Sequence, residues 1–227
     1  DDLSPALMNP TKLDCNQWAD AAVSAGMKFG VLTTKHHDGF CLWPSKYSNY
    51  TVREGCGKDI VREFVNAFRS HGLKVGFYYS IRDRTAEIAT AGHGGVTPEK
   101  IQYIKNQLTE LLTQYGPILY IVFDGWGNFW HESPTFYEIP FKEIYDHIKS
   151  LQPNCIVINH SNIREVNDVL QLELSAHVKM QDGADWPAVG GNVFQGGTWF
   201  WRTSYPSLEL PSAQWVVDNI NHFNKSH

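Results

Sequence analysis

The sequence predicts an α/β fold: a (β/α)8-like, TIM-type barrel that is incomplete, with about six parallel strands, in one domain over residues 1–227. Three observations predict it. Apolar strand-like runs alternate with amphipathic helical stretches, the pattern of parallel strands joined by crossovers. The runs are apolar on both faces, as in Ile118-Leu-Tyr-Ile-Val-Phe123, because a sheet covered by helices has no wet face to alternate toward. Polar residues stand where these runs stop, and in parallel α/β architectures the C-terminal strand ends form the working face. No Gly-rich phosphate fingerprint follows any strand, which removes the main reason to choose a nucleotide-binding open sheet.

In chain order, Asp14 with Gln17 three positions on approaches a capping box. It opens a helix over 14–25 with Trp18, Ala21, Ala22 and Ala25 on one face, stopped by Gly26. Phe29-Gly-Val-Leu-Thr-Thr34 is a strand that runs into Lys35-His-His-Asp-Gly-Phe40. Asp59 caps a helix striped by Ile60, Val61, Phe64, Val65 and Phe68. Gly72 ends it, and Leu73 to Ser80 is the next strand. Thr97-Pro98 starts a helix with Ile101, Ile104, Leu108 and Leu111 inward, leading to the strand that delivers Asp124. A helix over 138–151 follows, then a strand at Cys155 to Asn159 and a short one at Asp168 to Glu173. Beyond a Gly-rich loop through Gly183, Gly190 and Gly191, Thr198-Trp-Phe-Trp-Arg202 reads as a strand and 211–223 as a helix. Six strands do not close an eight-stranded barrel.

A net charge of −5 with no Lys/Arg block excludes a nucleic-acid footprint. No run of 18 apolar residues exists, so no helix is expected to span a membrane. Without an opening signal peptide, the cytoplasm is the expected compartment. Cys15, Cys41, Cys56 and Cys155 show no C-x-x-C spacing and read as buried thiols. The aromatic share of 13%, with 8 Trp, suits sugar binding, where ring faces pack on C–H groups between hydrogen bonds.

Asp124 follows a buried run and is flanked by Trp126 and Trp130. A carboxylate there either caps the glycine turn or has a task. Two carboxylates on separate strand ends, among histidines and aromatics, suggest hydrolysis of a glycosidic bond. In the retaining form one carboxylate is the nucleophile and the other, ~5 Å away, protonates the leaving oxygen and then activates water. Asp124 suits the first role. Glu173, Glu165, Asp182 and Asp185 are the choices for the second, and spacing does not decide among them. Trp126 is expected to pack on the sugar. Neighbouring residues on a strand point to opposite faces, so His36 and His37 share a ligand only if the chain bends there. No third ligand stands at a recognisable spacing, so no metal and no cofactor is expected, and hydrogen bonding to sugar hydroxyls is.

Asn9-Pro-Thr-Lys-Leu-Asp14, Ala25-Gly-Met-Lys-Phe29, the segment from Leu32 through Lys35-His-His-Asp-Gly-Phe40 to Trp43, Gly72 to Ser80, and Phe123-Asp-Gly125 together resemble the α-L-fucosidases of glycoside hydrolase family 29. The resemblance implies a retaining exo-hydrolase that removes terminal α-L-fucose from fucosylated glycans or glycosides without metal or cofactor. It implies Asp124 as nucleophile, His36 and His37 as ligands of fucose hydroxyls, and Trp43 and Tyr79 near the sugar. Trp199 and Trp201 resemble a tryptophan segment that closes the pocket. The second half departs from the family. Asn167-Asp-Val-Leu-Gln-Leu-Glu173 aligns with the segment carrying the acid/base and keeps only its Asp and Glu, so Glu173 takes that role. Neither the family's first barrel strand nor its last is present. These two strands neighbour each other in a closed barrel, so a gap is expected beside the site. Exposed edges recruit partners, hence the expectation of a homo-oligomer whose neighbouring subunit completes the pocket. The alternative is an inactive fucose-binding module, although such a module has no need of both carboxylates. An α-L-galactoside differs by a single group, worth only ~1 to 3 kcal/mol of discrimination.

Overall fold

The computed structural model describes residues 3–89, 96–124, 139–159, 164–173, 188–191 and 212–225. The chain divides into two compact units, Asp1–Asn167 and Asp168–His227. In the first, strands β1 (Phe29–Lys35), β2 (Lys74–Ser80), β3 (Tyr120–Asp124) and β4 (Ile156–Asn159) form one parallel sheet in the order β1-β2-β3-β4. Helices α1 (Cys15–Ser24), α2 (Ile60–Ser70), α3 (Pro98–Gln114) and α4 (Phe141–Leu151) alternate with them. A strand order that follows the chain without reversing is that of a barrel wall; a doubly wound sheet reverses at a switch point. Among the described residues the sheet is open, with β1 and β4 at its edges. These four strands are consistent with the incomplete barrel expected from the sequence.

The helix starts sit where the capping residues place them. Asp14 Oδ1 accepts from the Asn16 and Gln17 amides at 3.0 and 3.1 Å, and Asp59 Oδ1 from Arg62 at 2.9 Å. Thr97 Oγ1 accepts from Lys100 at 3.4 Å. Each cap satisfies an amide that the first turn leaves without a partner. Gly26 and Gly72, at φ 74° and 75°, turn the chain out of α1 and α2 into the strands that follow.

Alternation divides the sheet into two faces. Val75, Phe77 and Tyr79 of β2 and Ile121 and Phe123 of β3 are wholly buried in the core with Val61, Phe64 and Phe68 of α2 and Leu108 and Leu111 of α3. On the opposite face Ser80 pairs in register with Asp124 and Tyr78 with Val122. The register of β1 against β2 shifts between Thr33 and Lys35: Thr33 lies opposite Tyr78, and Lys35 opposite Tyr79. That bulge at Thr34 changes the phase of the strand. Without it Lys35 would share the face of Thr33; with it Lys35 joins Tyr79 on the helix-covered side. Toward the start of β1, Phe29 and Val31 are 42% and 37% exposed, and Phe29 packs edge-on against Tyr120.

Helix α1 differs from its expected face. The buried residues are Cys15, Ala19 and Ala22, while Ala21 and Ala25 are exposed. Trp18 is 39% exposed and lines a hollow with Met8, Leu13, Leu32 and Leu42. Apolar spacing alone admitted two stripes on this alanine-rich helix, and packing chose the one holding Cys15. Cys15, Cys41 and Cys155 are buried and Cys56 is half-buried, all as free thiols.

In the second unit, β5 (Leu170–Glu173) and β6 (Ala188–Gly191) pair in parallel, with Leu170 opposite Ala188 and Glu173 opposite Gly191, and α5 spans Ala213–Lys225. The sequence reads Gly190 and Gly191 as loop, yet they end a strand. Ladder bonds use the backbone, which glycine supplies as well as any residue. The expected strand at 198–202 lies outside the described residues. Among the described residues no helix is long and apolar enough to cross a membrane.

Candidate active site

Three strand ends meet around Asp124. The residue closes β3, and its carboxylate accepts a short hydrogen bond from the Tyr78 hydroxyl of β2. Tyr78 and Ser80 share a face of β2 because they are two residues apart, and Ser80 lies directly opposite Asp124.

His36 and His37 follow the last residue of β1, where a turn closes with the Gly39 amide 3.1 Å from the His36 carbonyl. The chain bends here, so the two imidazoles lie on the same side with ring centroids 4.2 Å apart. The His36 ring also stacks on Tyr78, at 5.6 Å and 7° between planes. His37 Nδ1 is 2.6 Å from Ser80 Oγ, whose own proton goes to the Arg82 carbonyl at 2.7 Å. Ser80 therefore accepts, and Nδ1 carries the proton of the neutral ring. The other nitrogen, Nε2, faces Asp124 Oδ2 at 3.7 Å. Burial holds the His37 imidazole below its ordinary pKa, against the pull of the Asp124 carboxylate. In the neutral ring a nitrogen lone pair thus faces a carboxylate oxygen at a separation longer than a hydrogen bond. Such a pair of acceptors suits a hydroxyl or another donor placed between them.

A buried polar ring holds this turn from behind. Lys35 Nζ donates to Asp83 Oδ2 at 2.8 Å and to the Tyr79 hydroxyl at 3.1 Å. Tyr79 donates to Gln107 Oε1 at 2.7 Å, Gln107 Nε2 to the Tyr103 hydroxyl at 2.9 Å, and Tyr103 back to Asp83 Oδ2 at 3.2 Å. The circuit closes because Lys35 donates in both directions and Asp83 accepts from both sides. The segment after β2 grips the histidine turn directly: the Arg84 amide donates to the His37 carbonyl at 2.9 Å and Thr85 Oγ1 to the Asp38 carbonyl at 2.8 Å. Gly39, at φ 91°, passes so close to Asp83 that a Cβ there would lie 2.3 Å from Oδ1.

The structure thus brings Asp124, His36 and His37 together. It does not bring Trp43 and Tyr79, which the family resemblance sets near the sugar, to the same place. Both are wholly buried. The Trp43 indole donates to Glu110 Oε2 at 2.9 Å, and Tyr79 belongs to the ring around Lys35 on the helix-covered face. The reason is parity: adjacent residues of a strand point to opposite faces, and Tyr78 is the one that shares a face with Asp124. Tyr78 and Ser80 are neighbours of Asp124 and His37 to which the sequence assigned no role; counting back by twos from the strand end would have chosen them. Glu173 ends β5 in the second unit, and Glu165, an alternative acid, is exposed in a 3-10 turn, Arg164–Val166. Trp126, Trp130, Trp199, Trp201, Asp182 and Asp185 lie outside the described residues.

The family model for alpha-L-fucosidase matches residues 2–221 of the chain. Alpha-L-fucosidase 1 of Arabidopsis thaliana is 32% identical over 91% of this chain and 45% of its own length. A crystal structure of a putative alpha-L-fucosidase from Bacteroides thetaiotaomicron is 30% identical with a TM-score of 0.79, over 95% of this chain and 52% of that one. A family 29 α-L-fucosidase from the same organism, trapped as a covalent intermediate with 2-fluoro-fucosyl fluoride, is 25% identical with a TM-score of 0.77, over 96% of this chain and 54% of that one. The chain spans about half the length of these relatives.

Proposed function

This chain belongs to the alpha-L-fucosidase family, and from that premise we propose that it is the core of a single catalytic domain that hydrolyses terminal α-L-fucosides with retention of configuration. The observation that carries the reading is the convergence of Asp124, Tyr78, His36 and His37 from three adjacent strand ends. Asp124 attacks the anomeric carbon while the bond to the leaving oxygen breaks. Glu173 gives that oxygen its proton, and a β-linked fucosyl-enzyme forms. Glu173, now a carboxylate, takes a proton from water as the water attacks the same carbon, and α-L-fucose leaves with Asp124 restored.

The other residues act on binding. His36 and His37 hydrogen-bond sugar hydroxyls, with His37 Nε2 as an acceptor, and Tyr78 orients the nucleophile. Trp126 and Trp201 pack on the sugar. The buried Tyr79 and Trp43 serve the pocket through the turn and helix that they hold. The Bacteroides relative trapped as a covalent intermediate supports the double displacement.

The exposed Phe29 and Val31 at the edge of the sheet support a homo-oligomer in which a second copy covers β1 and completes the pocket. Release of nitrophenol from a nitrophenyl α-L-fucoside, followed over a dilution series beside light scattering, tests both statements. Turnover with α-L-fucose as the first product is expected, with specific activity falling as the assembly dissociates. Sugar binding with no turnover at any concentration would return the reading to a fucose-binding module.

A further inference from the structure

His36, His37 and Asp124 each present one ligand atom, and these atoms all lie within 4.8 Å of one another. Two donors bound ~2.1 Å from a tetrahedral metal are about 3.4 Å apart, close to the 3.7 Å between His37 Nε2 and Asp124 Oδ2. The set is imidazole, imidazole and carboxylate, the donor chemistry of borderline divalent cations. His37 also has the support that a metal-binding histidine uses. Its Nδ1–H is committed to Ser80 Oγ at 2.6 Å, and Ser80 is fixed in turn by the Arg82 carbonyl at 2.7 Å. This chain fixes the ring orientation and leaves the Nε2 lone pair toward Asp124.

We propose that His36, His37 and Asp124 form a binding site for a zinc-type divalent cation, and that the bound cation excludes the sugar. Its role is inhibitory and reversible: the cation occupies the nucleophile and the two imidazoles that the sugar needs. The cation's binding stands on the three residues alone, while the exclusion of sugar rests on the fucoside reading.

The test is a titration of the whole chain with Co2+, read by visible absorption, with Zn2+ added afterwards as a competitor. A tetrahedral cobalt spectrum displaced by Zn2+ is expected. Binding should weaken by ~10-fold or more in His36→Gln, His37→Gln and Asp124→Asn, and by roughly 10-fold in Ser80→Ala, which frees the His37 ring. The two histidine variants are independent, and circular dichroism on each separates a lost ligand from a lost fold. Absorption that persists in the three ligand variants comes from other histidines and overturns the site, as does the lack of a cobalt spectrum in the unaltered chain. L-Fucose at saturation should raise the apparent Kd for Co2+. A cobalt site that disappears with His37→Gln yet ignores fucose keeps the metal proposal and sinks the sugar reading.

Discussion

Lys35 Nζ lies 2.8 Å from Asp83 Oδ2, and neither side chain touches solvent. The pair joins the residue immediately before His36 to the segment whose backbone holds the His37 carbonyl. It ties the site to the core, and its energetics are those of a buried ion pair whose remaining polar atoms are satisfied around a closed circuit.

Lys35→Met leaves the Asp83 carboxylate buried with its cation removed. The expected loss is about 3 to 5 kcal/mol of folding stability, because an uncompensated buried charge costs more than the pair contributes. The double variant Lys35→Met, Asp83→Leu should recover part of that loss. Urea denaturation of the two variants checks the order; a double variant less stable than Lys35→Met would contradict it.

Gly39→Ala meets two obstacles at once: a φ of 91° and an Asp83 oxygen that would sit 2.3 Å from the new carbon. The Asp83 carboxylate is held by Lys35, Tyr103 and the Ala86 amide. The turn carrying the histidines therefore has to give way. A fall in kcat/KM of roughly 10-fold or more on the nitrophenyl fucoside is expected, since small displacements of positioning groups are costly.

Asp124→Gly should lower kcat at least roughly 1000-fold, in keeping with removal of a nucleophile. Azide should restore turnover and give the β-fucosyl azide, because the small anion attacks from the face that Asp124 has vacated. Recovery of an α-azide would take the nucleophile's role from Asp124.

Burial lowers the pKa of His37 from its ordinary 6.5, and that of His147 likewise. Between the folded value and 6.5 the unfolded chain binds more protons, so stability rises with pH. The contribution is fully present above 6.5 and is lost as pH falls through the folded values. The melting temperature should therefore be lower at about pH 5.5 than at about pH 7.5, with the difference reduced in His37→Gln. A variant with an unchanged difference would assign the acid sensitivity elsewhere.

Much of this was legible before the structure. Asp14, Asp59 and Thr97 announced their helices because a cap is a local device, complete within four residues. Asp124, His36 and His37 announced the site because each ends an apolar run. What depends on register was not legible. Choosing Tyr78 over Tyr79 requires knowing which face of β2 the third strand's carboxylate shares. The Lys35–Asp83 pair spans 48 positions, beyond any local pattern. The β6 strand ends in two glycines, whose missing side chains erase the apolar signal by which strands are read. Trp18 misled for the opposite reason: a large apolar side chain dominates a helical stripe on paper, whereas here the small Ala19 and Ala22 made the close contacts.

The bulge at Thr34 makes the chain's reading frame a structural quantity. Strand β1 runs with a period of two residues, and one extra residue switches odd positions for even ones. Drawing Thr34 into the ladder would set Lys35 opposite Ser80, move the ammonium out of the core and onto the Asp124 side, and leave Asp83 opposite a side chain of the wrong kind. An insertion or deletion confined to the sheet edge beyond Phe29 would carry no such penalty. The phase that keeps Lys35 in the core is thus set at one threonine, which belongs to the strand without being paired in it.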